Sequence, residues 1–184
     1  MKKIIATLVF ISVSFMAKSQ NVKSTSSVEK SLFGIQVGVL SIYALHEAKL
    51  SHSTTLRTEL GLEPGVVNDN DKLFFTPVIN IEPRWYYNLD KRQKKSKRID
   101  NNSGNFCSLK TKYHPDWFTI SDQKNINFSN SLSLIPTWGI RRNLGKHFNY
   151  ETAIGAGYIH YFDKNNTDDN GLIINLHLRI GYSF

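Results

Sequence analysis

Leu172-Ile173-Ile174-Asn175-Leu176-His177-Leu178-Arg179-Ile180-Gly181-Tyr182-Ser183-Phe184 closes the chain, and its alternation decides the fold. Leu172, Ile174, Leu176, Leu178, Ile180, Tyr182 and Phe184 share one parity. Asn175, His177, Arg179, Gly181 and Ser183 share the other. Successive side chains of a strand point to opposite faces, so this text describes a strand with one apolar and one polar side. A helix would mix the two sets within one turn.

The same split recurs upstream. Phe33, Ile35 and Val37 oppose Gly34, Gln36 and Gly38, and Leu56, Leu60 and Leu62 oppose Arg57, Glu59 and Glu63. Ile79, Ile81 and Trp85 oppose Asn80, Glu82 and Arg84. Leu132, Leu134 and Trp138 oppose Ser133, Thr137 and Arg141, while Phe148, Ile154 and Tyr158 oppose Asn149, Glu151 and Gly155. With two weaker segments added, the pattern predicts eight strands: 31–40, 42–50, 54–63, 74–88, 104–113, 131–142, 147–162 and 170–184. The expected fold class is all-β, an antiparallel up-and-down eight-stranded transmembrane β-barrel with a filled polar lumen. A bilayer has no water to satisfy an open sheet edge, which forces closure. Alternation alone does not say which face is inside, so a secreted soluble barrel stays open as the other reading. The many small residues of the polar set favour the first, since they suit a narrow interior.

Before the strands lies a different kind of text. Lys2 and Lys3 precede the apolar run Ile4 to Met16, followed by Ala17-Lys18-Ser19. A basic start, a short apolar run and small residues form an export signal peptide over residues 1–19. The expected organisation is then a lead-in over 20–30 and a barrel over 31–184. Removing the leader takes away three lysines and no acid, so the net charge of +8 becomes +5. Lys91, Arg92, Lys94, Lys95, Lys97 and Arg98 carry all of that excess. The basic character is one local feature, which argues against nucleic-acid binding. The single cysteine, Cys107, excludes an intrachain disulfide.

If the C-terminus ends on the periplasmic side, loops 64–73, 114–130 and 163–169 face outward, and 51–53, 89–103 and 143–146 face inward. Lys91 to Arg98 then form a basic periplasmic turn suited to anionic headgroups or polymers. Trp85, Tyr87, Trp138, Phe148, Tyr150, Tyr182 and Phe184 fall at the inner interface, and Phe74, Phe75, Tyr113, Tyr158 and Phe162 at the outer one. Tyr113, Trp117 and Phe118 in the longest outer loop read as the interfacial aromatic belt continued into the loop, with a recognition tip for a partner or surface glycan as the alternative. Pro77, Pro83 and Pro136 fall inside proposed strands and are expected to mark strand ends or bulges.

The interior positions hold Glu47, Arg57, Glu59, Glu82, Arg84, Lys110, Arg141, Glu151 and Arg179, with Glu63, Lys49 and Lys112 on the same parities. An eight-stranded lumen is only wide enough for side chains, so these charges are expected to pair into a plug. The histidines show no metal-ligand spacing, and no nucleophile–base pair is visible. No catalytic residue, metal site or cofactor is expected.

Thr76-Pro-Val-Ile-Asn-Ile-Glu-Pro-Arg-Trp-Tyr-Tyr-Asn88, Trp138-Gly-Ile-Arg-Arg-Asn143, Asn149-Tyr-Glu-Thr-Ala-Ile-Gly-Ala-Gly-Tyr158 and the terminal aromatic strand carry a resemblance. The chain resembles the small eight-stranded outer-membrane barrels of Gram-negative bacteria, and most of all a group common in Bacteroidota. The resemblance implies outer-membrane lipids as surroundings and barrel-assembly machinery as a partner during biogenesis. Tyr182 and Phe184 would be the assembly signal. The expected role is structural or a surface interaction, without catalysis. A narrow channel for small solutes is the alternative, and a soluble ligand-binding barrel the third.

Overall fold

The alternating segments pair edge to edge into one closed sheet. A computed structural model describes residues 26–67, 72–121, 129–162 and 171–184. The signal-peptide reading of residues 1–19, part of the lead-in and the whole outward loop 163–169 lie outside the described residues. The strands are β1 (Ser31–Gly38), β2 (Ser41–Lys49), β3 (Thr54–Val67), β4 (Lys72–Tyr86), β5 (Asn105–His114), β6 (Ser131–Leu144), β7 (Phe148–Tyr161) and β8 (Gly171–Ser183). Each is antiparallel to its neighbour, and β8 returns to β1, closing an up-and-down barrel of eight strands. Among the described residues no helix is long and apolar enough to cross a membrane.

The closing seam is short. β1 meets β8 from Gly34↔Ser183 to Gly38↔Arg179, and Phe184 N donates to Phe33 O at 3.0 Å. β3 and β4 instead run on to Val67↔Lys72, so most of the expected outer loop 64–73 is strand. The paired Cα partners Gly65 and Phe74 explain one misreading. The Phe74 ring lies where a Cβ on Gly65 would stand, and Phe74 is buried instead of belonging to an outer aromatic girdle.

The three prolines resolve without a bulge. Pro77 sits beyond the last β4–β5 pair, Ile79↔Tyr113, where it faces no ladder on that side. Pro83 keeps its place opposite Leu56 on β3, and the β4–β5 ladder is interrupted there and resumes in the same register at Arg84↔Ser108. Pro136 likewise pairs with Leu109 on β5, while the β6–β7 ladder skips from Leu134↔Tyr158 to Thr137↔Gly155. A proline removes one donor, and each ladder gives up local pairing and keeps its alignment.

The stretch 26–30, the C-terminal Phe184 and the connection 87–104 lie at one end, here the closed end. There α1 (Leu89–Lys94) and a single 3₁₀ turn (Asp100–Asn102) fold back under the strands. The stretch 26–30, read from the sequence as lead-in, crosses the same opening. Val28 N donates to His52 O at 2.9 Å, and Glu29 N donates to Asn102 Oδ1 at 2.8 Å. Val28, Leu89 and Phe106 pack with Tyr86, and Ile99 covers them. This apolar stopper seals one mouth of the barrel.

Candidate functional site

Inside the wall the buried set is mostly polar, with apolar members such as Leu45, Val78 and Ile135 among it. Glu47, Arg57, Glu59, Glu82, Arg84, Lys110, Arg141, Glu151 and Arg179 are all buried. They form connected tiers because a strand displaces same-face neighbours by two residues, so Arg57 and Glu59 on β3, or Glu82 and Arg84 on β4, rise in steps.

The tier next to the stopper centres on Glu47. Its carboxylate accepts from Thr55 Oγ1 at 2.8 Å, Tyr86 OH at 2.9 Å, Asn102 Nδ2 at 2.9 Å and Arg141 Nη1 at 3.2 Å. Glu151 holds the middle tier. It accepts from Arg57 Nη1 at 3.0 Å and from Arg84 Nη1 and Nη2 at 2.9 and 2.8 Å, with His177 Nε2 at 3.1 Å. Arg84 also donates to Glu82 at 2.9 Å, and Arg57 and Arg179 both donate to Glu59. Lys110 Nζ lies 3.8 Å from Glu82. Nearer the open mouth, Lys112 donates to both oxygens of Glu63, at 2.8 and 2.7 Å, and Tyr43 OH donates to Glu63 at 2.7 Å. Arg84 stacks on Phe106 at 4.1 Å and Arg179 on Tyr43 at 3.7 Å, which lends partial shielding to cations far from water.

Such charges persist in a dry interior only when paired and hydrogen-bonded. Bidentate Arg84 on Glu151 meets that demand. Lys49, which shares the interior parity, stands apart from the tiers and donates to Ser27 Oγ at 2.6 Å.

The network also takes in uncharged partners beyond the expected ion pairs. Gln36, Asn80, Tyr86 and His177 sit on the polar parity of their strands, where the alternation places them, although formal charge alone does not mark them as network members. Asn102 carries no such signal, because only the folded-back connection brings it to Glu47.

The protein-family models, curated proteins and solved structures compared with this chain gave no match.

The basic turn makes the second feature. Lys91, Arg92, Lys95 and Lys97 line a cleft of about 390 Å³ with Tyr87, Asn105 and Arg142 at the closed-end rim. Arg92 donates to Arg98 O at 3.1 and 2.8 Å, and Arg142 donates to Arg141 O at 2.7 Å, so neutral carbonyls hold both guanidinium groups. Lys94 and Arg98 are exposed outside this cleft, and Arg98 pairs with Asp100 at 2.9 Å. Burial draws the Arg92 guanidinium below its ordinary value. Beside the cleft, Trp138 Nε1 donates to Tyr87 OH at 2.8 Å, and the Trp85 and Tyr87 rings lie 5.9 Å apart. Tyr182 stands edge-on to Phe148 at 5.3 Å and to Phe184 at 5.4 Å, on the same rim.

At the open end the expected trio separates. Tyr113 belongs to β5 and donates to Asn130 Oδ1 at 3.4 Å, whereas Trp117 and Phe118 are exposed in the segment beyond the strand. Ile120 returns that segment to β4 through a pair of bonds with Phe75, each 2.9 Å. Among the described residues no cluster of His, Cys, Asp and Glu could hold a metal ion.

Proposed function

We propose that this chain is an integral outer-membrane barrel of a Gram-negative envelope, with a structural or surface-interaction role and no catalytic one. One observation carries the reading: burial is inverted relative to a water-soluble protein. Arg57, Arg84, Arg141 and Glu151 are fully buried, while Leu172, Ile174, Leu176, Leu178 and Ile180 on β8 are exposed. In water, each large aliphatic side chain left outside forgoes about 1.5–3 kcal/mol of burial. In hydrocarbon the same surface is at home, and closure of the sheet pairs the backbone of every strand with two neighbours over most of the barrel.

The aromatic rim of Trp85, Tyr87, Trp138, Phe148, Tyr182 and Phe184 supports the reading, because such rings favour the headgroup level. The basic cleft beside it fits the anionic headgroups of the leaflet at the closed end. Outer-membrane lipids are then the surroundings, and Tyr182 with Phe184 offers a terminal aromatic signal to assembly machinery. A plug suits the interior better than a channel, since the Glu151 tier fills the lumen and the Val28 stopper backs it.

The test is a gel of boiled and unboiled outer-membrane fractions. A membrane barrel stays folded in detergent until heated, so a heat-dependent mobility shift is expected. Recovery as a soluble periplasmic protein without a shift would overturn the reading.

A further inference from the structure

The barrel wall has a notch. β1 leaves β8 at Gly38↔Arg179, and β2 first meets β3 at Ile42↔Leu62, with a loop of only Val39 and Leu40 between. Above that hairpin, β8 from Gly171 to Leu178 and β3 from Glu63 to Val67 have no described strand on the facing side. The hairpin tip is apolar: Val39 is 76% exposed and Leu40 58%. Leu40 also takes φ +58°, a conformation in which turns favour Gly or Asn. A water-facing turn would gain nothing from these residues. Leu172, Ile174 and Leu176 keep the outer face of β8 apolar alongside the gap, so among the described residues the notch faces the apolar exterior.

Two hollows meet there. Outside, Leu40, Ile42, Leu62, Phe75 and Ile120 line an apolar groove of about 320 Å³. Inside, Tyr43, Glu63, Lys112, Asn175, His177 and Arg179 line a polar cleft of about 230 Å³. Ser41 belongs to both. Asn175 is 8% exposed, and its Nδ2 is a buried donor with no partner. A buried amide without an acceptor is costly, and Asn175 is one of the residues that line the cleft.

We propose that the notch is a lateral binding site for a long-chain fatty acid, with its alkyl chain on the outer groove and its carboxylate inside beside Asn175. The inference rests on the membrane reading above. A carboxylate suits the donors better than a bulkier or doubly charged head. Lys112 is already paired with Glu63, and Arg179 with Glu59. With both cations already compensated, one free amide remains as the donor for the head group. The cleft also holds only a compact group.

The test titrates a dansyl-labelled long-chain fatty acid into the folded barrel in lipid nanodiscs, with heat-dependent mobility confirming the fold of every variant. Saturable binding is expected, displaced by oleate and not by lysophosphatidylcholine. Asn175→Leu should weaken it about tenfold, the scale of one hydrogen bond to a charged group. Ser41→Phe should abolish it by filling the passage, and Leu134→Phe on the opposite wall should leave it unchanged. Unaltered binding in both notch variants, or equal displacement by lysophosphatidylcholine, would overturn the site. A barrel that enters nanodiscs yet binds nothing overturns this inference alone. A chain that stays soluble without lipid overturns the membrane reading as well.

Discussion

Arg84 shows what a single interior side chain carries. Both terminal nitrogens reach Glu151, one also reaches Glu82, and the guanidinium lies on the Phe106 ring. Arg84→Ala would leave Glu151 with fewer donors in a place where water cannot replace them. The expected cost is about 3–5 kcal/mol, the usual penalty for breaking one side of a buried pair. Urea unfolding of the barrel refolded in lipid vesicles measures it. A plug also predicts unchanged single-channel conductance in this variant, whereas an open path would change its current. At this scale the sequence was legible wherever a charge sat on a polar parity. It was silent about Phe74, whose place inside depends on the missing side chain of Gly65 across the strand pair.

Among the elements, the connection 87–104 departs most from a solvated turn. It is a cap tied to the barrel through Asn102 and Glu47 and to the stretch 26–30 through Ser26, whose Oγ donates to Asp90. Its basic side faces outward, and each Lys or Arg near an anionic surface contributes about 1 kcal/mol. Replacing Lys91, Lys95 and Lys97 together by Ala should therefore lower retention of phosphatidylglycerol about a hundredfold in native mass spectrometry, with the difference shrinking at high salt. The hydrogen bond from Arg98 holds the Asp100 carboxyl below its ordinary 3.8. The folded state thus favours the ionised form, so its contribution is present above the unfolded value and is lost as pH falls through the folded one. Amide exchange in residues 97–102 should accelerate on acidification below pH 3.8, and Asp100→Asn should remove that dependence. The positive run was plain in the sequence. Its folding into a cleft was not, because Arg142 arrives from β6, far along the chain.

For the whole molecule, the decisive question is what surrounds the apolar exterior. β8 supplies a ruler, since Leu172 and Phe184 bracket its exposed row and Leu178 lies midway. In a bilayer, Leu178→Arg should destabilise the barrel by about 2–4 kcal/mol and Leu172→Arg by about 0–1 kcal/mol. Equilibrium unfolding from vesicles checks the gradient. Two equal, negligible effects would mean that water, not lipid, bathes this face.

Period-two alternation was sufficient to expect eight strands, their antiparallel order and the residues of each face, since that information is local. The terminal row from Leu172 to Phe184 and the charged parity of β3 and β4 could be read without coordinates. Three things waited for the tertiary structure. Closure brought Glu151 of β7 against Arg57 of β3 and Arg84 of β4, and no local pattern encodes such meetings across a lumen. The stopper of Val28, Leu89 and Ile99 joins the N-terminal stretch to a mid-chain connection. The notch arises from unequal strand lengths, because β1 and β2 stop below their neighbours and the opening exists only once the sheet has closed around it.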